Sequence, residues 1–366
     1  MINNIKKIII ATGGTGGHVF PAYSLAKHFI SNKIDVEIIS DKRGIKYLKN
    51  YHDLKITQIS SATIFKKNIL QKLFSSIIIF YSIFRSFIFL LFFKPNLVFG
   101  MGGYSSFPIC VAAKILKIPF IIYENNLYIG KANSYLLPFA NKIFVSHKEL
   151  EGISEKHKKK IIEIGNIIRK EIFNLQSRKY SNHIDNELKI LVLGGSQAAK
   201  IFAEKLPEIF KKCKENKIVL KIYQQCLPEQ NEFLISFYKN LNIHFETFNF
   251  SNNILEYFVK TDLAITRSGS SMLAELINAK IPFISVPLPT SAEDHQLKNA
   301  TYYEKNGYSY LIEEKDLSKD LFKLIKKIHE EKSLLKQMIN KQKQYSDKLV
   351  YEIIDKQICN IINEKH

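Results

Sequence analysis

The chain has 366 residues, 46% hydrophobic and 24% charged, which indicates a globular protein of about two domains and excludes a disordered or fibrous one. Lysine and arginine number 53 against 34 acidic residues, and the net charge of +19 favours an anionic partner unless it reflects a general enrichment in lysine. Four scattered cysteines without a Cys-x-x-Cys pair exclude a disulfide framework and a zinc knuckle. The N-terminus lacks a small-residue cleavage site, so we expect no signal peptide.

Three glycine-rich loops each follow an apolar, strand-like run and precede a helical pattern. They are KKIIIAT-GGTGGH (6–18), NLVF-GMGGYSSFP (96–108) and LKILVL-GGSQAAK (188–200). Because backbone amides at a helix N-terminus bind anions and glycine allows close approach, each loop predicts an anion site. Asp41, after the second strand, could contact a ribose in a nicotinamide dehydrogenase. The loops do not fit G-x-G-x-x-G or the P-loop spacing, however, and three of them exceed what one dinucleotide needs.

Strands alternate with helices along the chain, which predicts parallel, doubly wound α/β sheets. Further strand candidates are DVEIIS (35–40), PFIIYE (119–124), KIFVS (142–146), LKIYQQ (220–225), IHFETF (243–248), DLAIT (262–266) and PFISV (282–286). The pattern starts at residue 5 and again at 188. We therefore expect two Rossmann-like domains facing across a cleft, 1–164 and 165–341, with a last helix at about 342–366 packing back on the first.

Residues 54–123 contain no aspartate or glutamate but eight cations, among them Lys66, Lys67, Lys72 and Arg85. Within them, the apolar segment 73–93 is long enough to span a bilayer as a helix. Against a span, Arg85 near its centre would cost about 2.5–3.5 kcal/mol. A buried core helix is a second possibility. We favour a helix partly packed on the core that presents an apolar and basic surface, about 64–94, to an anionic membrane.

The segment RSGSSMLAE (267–275) is the sharpest local signal for a ligand. It follows a strand and opens a helix, so its first-turn amides and hydroxyls suit a diphosphate. Glu275, two turns further, could accept hydrogen bonds from both hydroxyls of a ribose. The alternative is an ordinary serine cap followed by an exposed glutamate. The next strand ends in a segment (286–300) with many polar side chains, and packing alone does not explain so many of them after a buried strand.

Together these residues resemble the MurG family, the UDP-N-acetylglucosamine–N-acetylmuramyl-(pentapeptide) pyrophosphoryl-undecaprenol N-acetylglucosamine transferases. The matching motifs are GGTGGHVFPA (13–22), GMGGYSSFP (100–108), YENN (123–126), GNIIR (165–169), GGSQAA (194–199), RSGSSMLAE (267–275) and DHQLKNA (294–300). The resemblance covers nearly the whole chain. It implies an inverting glycosyltransferase of GT-B type that converts lipid I to lipid II in peptidoglycan synthesis. It also implies a peripheral protein on the cytoplasmic face of the bacterial inner membrane that needs no cofactor.

The resemblance implies a donor site for UDP-N-acetylglucosamine, mainly on the second domain. Its residues are Thr15, Gly16, Gly17, Asn126, Arg169, Ser196, Ser251, Arg267, Ser270, Ser271, Glu275 and Gln296. Among these, Ser196 and Arg169 would meet the diphosphate, Glu275 the ribose and the backbone near Ser251 the uracil. Gln296 and Asn126 would meet the sugar hydroxyls.

The acceptor, an undecaprenyl-pyrophosphoryl-muramyl-pentapeptide, would place its pyrophosphate against the first two glycine loops. The residues implied are Gly14, Gly102, Gly103 and Tyr104. The chain departs from the family at Tyr123, where the family has histidine, which excludes a catalytic role at 123. It departs again at 127–129, where the family has smaller residues.

Two residues are candidates for activating the acceptor hydroxyl. His18 follows the first glycine loop at a helix start, where the positive end of the helix keeps an imidazole neutral and able to accept a proton, so it is the first choice as general base. The alternative for His18 is a structural hydrogen bond that fixes the loop. Glu124, at the end of a strand, is the second candidate, as base or as orienter. No carboxylate cluster marks a metal site, and chemistry without a required metal is the hypothesis.

Two other functions compete with this interpretation. A nucleic-acid-binding protein would explain the charge, but cations and aromatics do not alternate and no binding motif occurs, so we expect no nucleic acid partner. A related GT-B transferase acting on another lipid or glycan acceptor would share the fold.

Overall fold

The computed structural model describes residues 5–49, 51–60, 69–175, 187–195, 200–249 and 253–363. The predicted site residues Ser196 and Ser251, and the lysines Lys66 and Lys67, lie outside these ranges. The chain divides into two compact units, Met1–Arg169 with Asp347–His366, and Lys170–Ser346. These boundaries fall slightly later than the expected 164 and 341.

The described residues of the first unit form a seven-stranded parallel sheet in the order β3-β2-β1-β4-β5-β6-β7. Its strands are β1 (Lys7–Thr12), β2 (Asp35–Ser40), β3 (Lys55–Gln58), β4 (Leu97–Gly100), β5 (Phe120–Glu124), β6 (Lys142–Val145) and β7 (Ile161–Glu163). Its helices begin with α1 (Gly16–Ser31), α2 (Lys42–Leu48), α3 (Ile69–Phe93), α4 (Ser106–Ile115) and α5 (Lys131–Leu136).

The second unit forms a six-stranded parallel sheet in the order β10-β9-β8-β11-β12-β13. Its helices are α6 (Lys170–Phe173), α7 (Lys200–Glu215), α8 (Pro228–Asn240), α9 (Leu255–Phe258), α10 (Ser270–Asn278), α11 (His295–Lys305), α12 (Leu317–Glu330) and α13 (Ser333–Gln342). Its strands are β8 (Glu187–Leu193), β9 (Val219–Gln225), β10 (His244–Phe248), β11 (Leu263–Thr266), β12 (Phe283–Ser285) and β13 (Tyr310–Leu311). The last helix, α14 (Val350–Asn363), belongs to the first unit.

Both sheets have the doubly wound strand order, which confirms the predicted class of two Rossmann-like α/β domains. Central strands such as β1 are buried on both faces, as expected when helices cover both sides of a parallel sheet. The order reverses between β1 and β4 in the first unit and between β8 and β11 in the second. At such a switch point the loops that leave the carboxyl ends of the strands diverge and leave a crevice for ligands.

The last helix is held to the first unit by buried polar contacts. The carboxylate of Asp347 accepts hydrogen bonds from the backbone nitrogen of Asn166 at 3.0 Å and from its side-chain amide at 3.1 Å. On α14 itself, Asp355 Oδ1 lies 2.8 Å from Nε2 of the buried His28 on α1. The C-terminal residues therefore complete the domain that the N-terminus begins.

Helix α3 buries three serines and exposes many of its large apolar residues. The buried side facing the unit contains Ser75, Ser82 and Ser86, and Ser82 Oγ donates to the carbonyl of Ser60 at 2.8 Å. The exposed residues are Leu73, Phe74, Ile77, Phe80, Tyr81, Phe84, Ile88, Leu91 and Phe92. Only 17% of an 18-residue apolar window within Leu73–Phe93 is buried, although the segment is long and apolar enough to cross a membrane. The interpretation as a buried core helix is therefore wrong.

One buried titratable group links the stability of the first unit to pH. Burial lowers the pKa of His147, which follows β6, to about 4, although nearby Glu149 opposes the shift. The unfolded chain binds a proton near pH 6.5 and the folded chain does not, so stability falls as pH drops from 6.5 to 4.

We expect His147 to lower the free energy of unfolding by about 3 kcal/mol across this interval, since one unit of pKa shift corresponds to about 1.4 kcal/mol. Urea denaturation at pH 7 and pH 4.5 should show a smaller acid loss for His147→Gln than for the wild type. The exposed His52→Gln serves as the control and should keep the wild-type acid loss. An equal loss in all three proteins would contradict the assignment.

Candidate functional site

The first two glycine loops interlock at the carboxyl ends of β1 and β4. A Cβ atom at Gly13 would lie 2.2 Å from Oγ of the buried Ser105, and one at Gly103 would lie 3.0 Å from the carbonyl oxygen of Gly13. Real Cβ atoms do not approach so closely, so glycine is required where the loops cross. The two loops that the sequence predicts as anion sites therefore form one surface in the first unit.

His18 lies against the second glycine loop. Gly102 has a φ of +88°, and a Cβ atom there would lie 2.9 Å from both Nδ1 and Cε1 of His18. The backbone nitrogen of His18 donates to the carbonyl of Thr15 at 3.1 Å, which closes the first turn of α1. The half-buried imidazole thus sits between the two loops, next to residues predicted for the acceptor pyrophosphate.

Glu124 organises the loop that follows β5. Its Oε1 accepts from the backbone nitrogen of Asn126 at 3.2 Å and from the Asn126 amide at 2.9 Å. Its Oε2 accepts from the backbone nitrogen of Gly130 and the amide of Asn133, both at 2.9 Å. The side chain is 2% exposed, and all four partners are N–H donors. These bonds favour the role of orienter over that of general base.

The β5 loop is also tied to α1. The buried amide of Asn125 donates to the carbonyl of Gly17 at 3.0 Å, which places the loop beside the first turn of the helix. By contrast, the hydroxyl of Tyr123 lies 2.9 Å from Ser146 Oγ and accepts from the backbone nitrogen of Ile167, and burial raises its pKa. Tyr123 is therefore a core residue, in keeping with its exclusion from catalysis.

The remaining predicted residues of the first unit lie on the same loops, except Arg169. Gly14 has a φ of +81°, Gly16 and Gly17 form the first turn of α1, and Thr15 is exposed as its N-cap. Tyr104 is half-buried in the second loop, and the half-buried Arg169 is the last residue of the N-terminal segment. The structure therefore brings together every first-unit prediction except Arg169.

Asp41 is a site residue whose role the sequence did not reveal. Its Oδ1 accepts from the backbone nitrogens of Gly14 at 3.0 Å and Gly44 at 2.8 Å. The carboxylate, which is 4% exposed, thereby ties the first glycine loop to the start of α2. The signal was an aspartate directly after a strand and three residues before Gly44, the pattern of a helix N-cap.

In the second unit, the loop before α10 is bonded to the segment that begins α11. Gln296 Oε1 accepts from the backbone nitrogens of Ser268 at 3.1 Å and Leu288 at 3.0 Å. The amide of the buried Asn299 donates to the carbonyl of Ser268 at 3.2 Å. The two motifs that the sequence singled out in this domain are therefore neighbours, at the carboxyl ends of β11 and β12.

Arg267 is bonded within the second unit. Its Nη1 donates to the carbonyls of Val286 at 3.2 Å and Pro287 at 3.1 Å, and its Nη2 pairs with Glu314. The guanidinium also lies 5.1 Å from the ring centre of Phe202. The buried side chain therefore holds the loop before α10, and its contact with a ligand stays a prediction.

The N-terminus of α10 is open where the sequence predicts a diphosphate. A Cβ atom at Gly269, the N-cap, would have no neighbour within 4 Å among the residues that the structure describes, and the buried Ser270 and half-buried Ser271 form the first turn. Glu275 is buried on the same helix. No group of three His, Cys, Asp or Glu residues in the described part of the chain is placed to hold a metal ion.

Two domain families match the two units. Residues 8–145 match the glycosyltransferase family 28 N-terminal domain, and residues 189–354 match the glycosyltransferase family 28 C-terminal domain. The fold resembles that of the Acinetobacter baumannii MurG crystal structure, with a TM-score of 0.76 and 24% identity over 97% of this chain and 99% of that one. It also resembles that of the S. aureus MnaA–UDP co-structure, with a TM-score of 0.70 and 17% identity over 98% and 97%. The fold and both loop systems define a two-domain glycosyltransferase of GT-B type.

Curated relatives narrow this class to one family. The chain is 36% identical to a Pelagibacter ubique (strain HTCC1062) protein over 98% of this chain and 99% of the relative. It is 35% identical to a Rickettsia bellii (strain RML369-C) protein over 89% and 90%. Both are named UDP-N-acetylglucosamine–N-acetylmuramyl-(pentapeptide) pyrophosphoryl-undecaprenol N-acetylglucosamine transferase. The chain belongs to this family, the MurG family.

We expect Glu124→Gln to destabilise the first unit by about 1–3 kcal/mol, because the glutamine amide would face N–H donors that only an acceptor can satisfy. Glu124→Asp keeps two acceptor oxygens and should lose less. Thermal unfolding gives the stabilities, and hydrogen exchange of the Gly130 amide gives the local effect. A Glu124→Gln protein with wild-type stability and exchange would contradict this role.

Proposed function

We propose a mechanism for the reaction of this chain, which moves N-acetylglucosamine from UDP-N-acetylglucosamine to the muramyl-pentapeptide pyrophosphoryl-undecaprenol lipid in peptidoglycan synthesis. The observation that carries the activity is identity to named transferases across both domains, over 98% of the chain. The first unit takes the acceptor and the second takes the donor. This division accounts for anion-type loops in each of two sheets.

The acceptor pyrophosphate binds at the interlocked loops of the first unit. Gly14, Gly102 and Gly103 have positive φ values, and the two loops lie at the N-termini of α1 and α4, where backbone amides bind anions. Tyr104 lies on the same surface. The loops cross at the switch point between β1 and β4, where doubly wound sheets bind ligands.

The donor binds at the second unit. The open first turn of α10, with Ser270 and Ser271, faces the diphosphate, and Glu275 on the same helix accepts from the ribose. Gln296 uses its oxygen to hold two loop amides, so its Nε2 hydrogens meet the sugar. Arg169 and Ser196 complete the diphosphate contacts, and the backbone near Ser251 contacts the uracil.

His18 acts as the general base. It takes the proton of the acceptor hydroxyl as that oxygen forms a bond to the sugar C1, while the bond from C1 to the UDP oxygen breaks and the configuration inverts. The α10 amides and Arg169 stabilise the charge on the departing UDP. Asn126, held by Glu124, contacts the sugar, and Thr15, Gly16 and Gly17 close on it from the first loop.

We expect His18→Ala to lower turnover by about 10²-fold or more while UDP binding survives, because a general base contributes about that factor. The assay is transfer of labelled N-acetylglucosamine from UDP-N-acetylglucosamine to the lipid acceptor, with UDP affinity measured by calorimetry. His52→Ala, which removes an exposed histidine of the same unit, is the control. If His18→Ala changes only the melting temperature and the acceptor KM, His18 is structural and the mechanism is wrong.

The chain also associates with the anionic face of the membrane through α3, as a peripheral protein on the cytoplasmic side. The exposed apolar residues of α3 support this, since a contiguous apolar face in water requires an apolar cover. Helix α4 packs against α3 and α5 packs against α4, and Ile115 on α4, Tyr135 on α5 and Phe139 after α5 are exposed.

A lysine cluster borders this apolar surface. Lys160 Nζ donates to the carbonyls of Pro138 at 2.8 Å and Ala140 at 2.7 Å, next to Phe139. Its pKa is lowered by partial burial and by the charges of Lys114, Lys159 and Lys142. Such a cluster beside apolar side chains attracts anionic headgroups as the apolar side chains enter the interface.

We expect Phe80→Ser to weaken vesicle binding about tenfold or more in any lipid, because Phe80 is 79% exposed and burying a phenylalanine contributes about 1.5–3 kcal/mol. The control is Phe233→Ser, an exposed phenylalanine of the second unit. Neutralising Lys66, Lys67, Lys72 and Arg85 together should weaken binding mainly to anionic vesicles. Unchanged co-sedimentation of both variants with anionic vesicles would refute the membrane surface.

A further inference from the structure

An exposed guanidinium stands beside the first glycine loop. Arg43 lies in the first turn of α2, and its Nη2 is 3.8 Å from the position that a Cβ atom would take on Gly14. The side chain is 63% exposed. An exposed cation is thus adjacent to the glycine loop at the N-terminus of α1.

The buried carboxylate of Asp41 fixes the direction of this guanidinium. Asp41 Oδ2 accepts from Arg43 Nε at 3.1 Å and from Nη2 at 3.0 Å, a two-bonded contact with one edge of the planar group. The other carboxylate oxygen accepts from Gly14 and Gly44, so Asp41 joins the loop, α2 and the arginine into one arrangement. Nη1 makes no hydrogen bond or ion pair with any residue that the structure describes, which leaves two donors available.

This geometry differs from an exposed ion pair on a free surface. Exposed pairs contribute little because both side chains must be ordered from solvent. Here one partner is buried and is already fixed by two backbone amides, so the arginine is oriented at small entropic cost. Three neighbouring groups, Gly14, Gly44 and Arg43, donate hydrogen bonds to the Asp41 carboxylate. The edge of the guanidinium that faces away from Asp41 carries only N–H groups.

We propose that Arg43 binds a phosphate of the acceptor pyrophosphate at the first glycine loop, and that Asp41 is the positioning residue that aims it. The inference rests on the proposed function of this loop. The planar fork of a guanidinium matches two phosphate oxygens. Arg43 thereby adds a full positive charge to a loop that otherwise offers partial charges.

The test uses the full chain with the lipid acceptor in neutral detergent micelles, which removes the anionic membrane. Arg43→Gln should raise the acceptor KM about 10- to 100-fold and change kcat and the KM for UDP-N-acetylglucosamine less than about twofold. Lys46→Gln, an exposed lysine on the same helix, carries the same charge change and should behave as wild type. Arg43→Lys should recover part of the loss.

Asp41→Asn tests the positioning role through coupling. It should raise the acceptor KM in the wild-type background and add little in the Arg43→Gln background, because both changes remove the same contact. Equal acceptor KM values for Arg43→Gln and Lys46→Gln, or a rise in the donor KM alone, would overturn the proposal. A wild-type chain that fails to use the lipid would overturn the proposed function instead.

Discussion

Two buried carboxylates hold the loops of the first unit by accepting hydrogen bonds from N–H groups. Glu124 is the last residue of β5 and Asp41 directly follows β2, and each is nearly inaccessible to water. A buried carboxylate is strongly unfavourable unless its oxygens are hydrogen-bonded, so each one fixes the amides that satisfy it. The loops after β1 and β4 lie between these two residues and are confined by neighbours on both sides. The position of His18 depends on this constraint.

The same constraint explains how backbone amides can be fixed in place before a charged ligand binds. Backbone amides stabilise developing charge only if they need not reorganise when the ligand arrives. The crossing of Gly13 with Ser105, and of Gly102 with His18, leaves no room for another side chain. These close contacts therefore fix the imidazole and the amides around it before a ligand binds. In the second unit, Arg267 and Gln296 do the same for the turn before α10 by bonding to carbonyls and amides of neighbouring loops.

Local sequence pattern is sufficient to predict part of the fold. Long apolar strands followed by glycine are easily recognised, so the central strands and the first two glycine loops are predictable from the sequence. The short strands β3, β7 and β13 are not, because KITQ, IIE and YL at the sheet edges are too short or too polar to be distinguished. The contacts of Arg267 with Phe202 and Glu314 are not predictable either, because these partners are remote in sequence.

Helix α3 also shows what local sequence pattern cannot predict. Its composition indicates an apolar helix, but only the three-dimensional arrangement shows which side chains are covered. Ser75, Ser82 and Ser86 are buried together with Ile79 and Leu90, whereas Phe80 and Phe92 are 79% and 83% exposed. Small buried residues let a helix approach its neighbour closely. Local spacing does not distinguish the covered side of α3 from the exposed side, because both consist mainly of apolar residues.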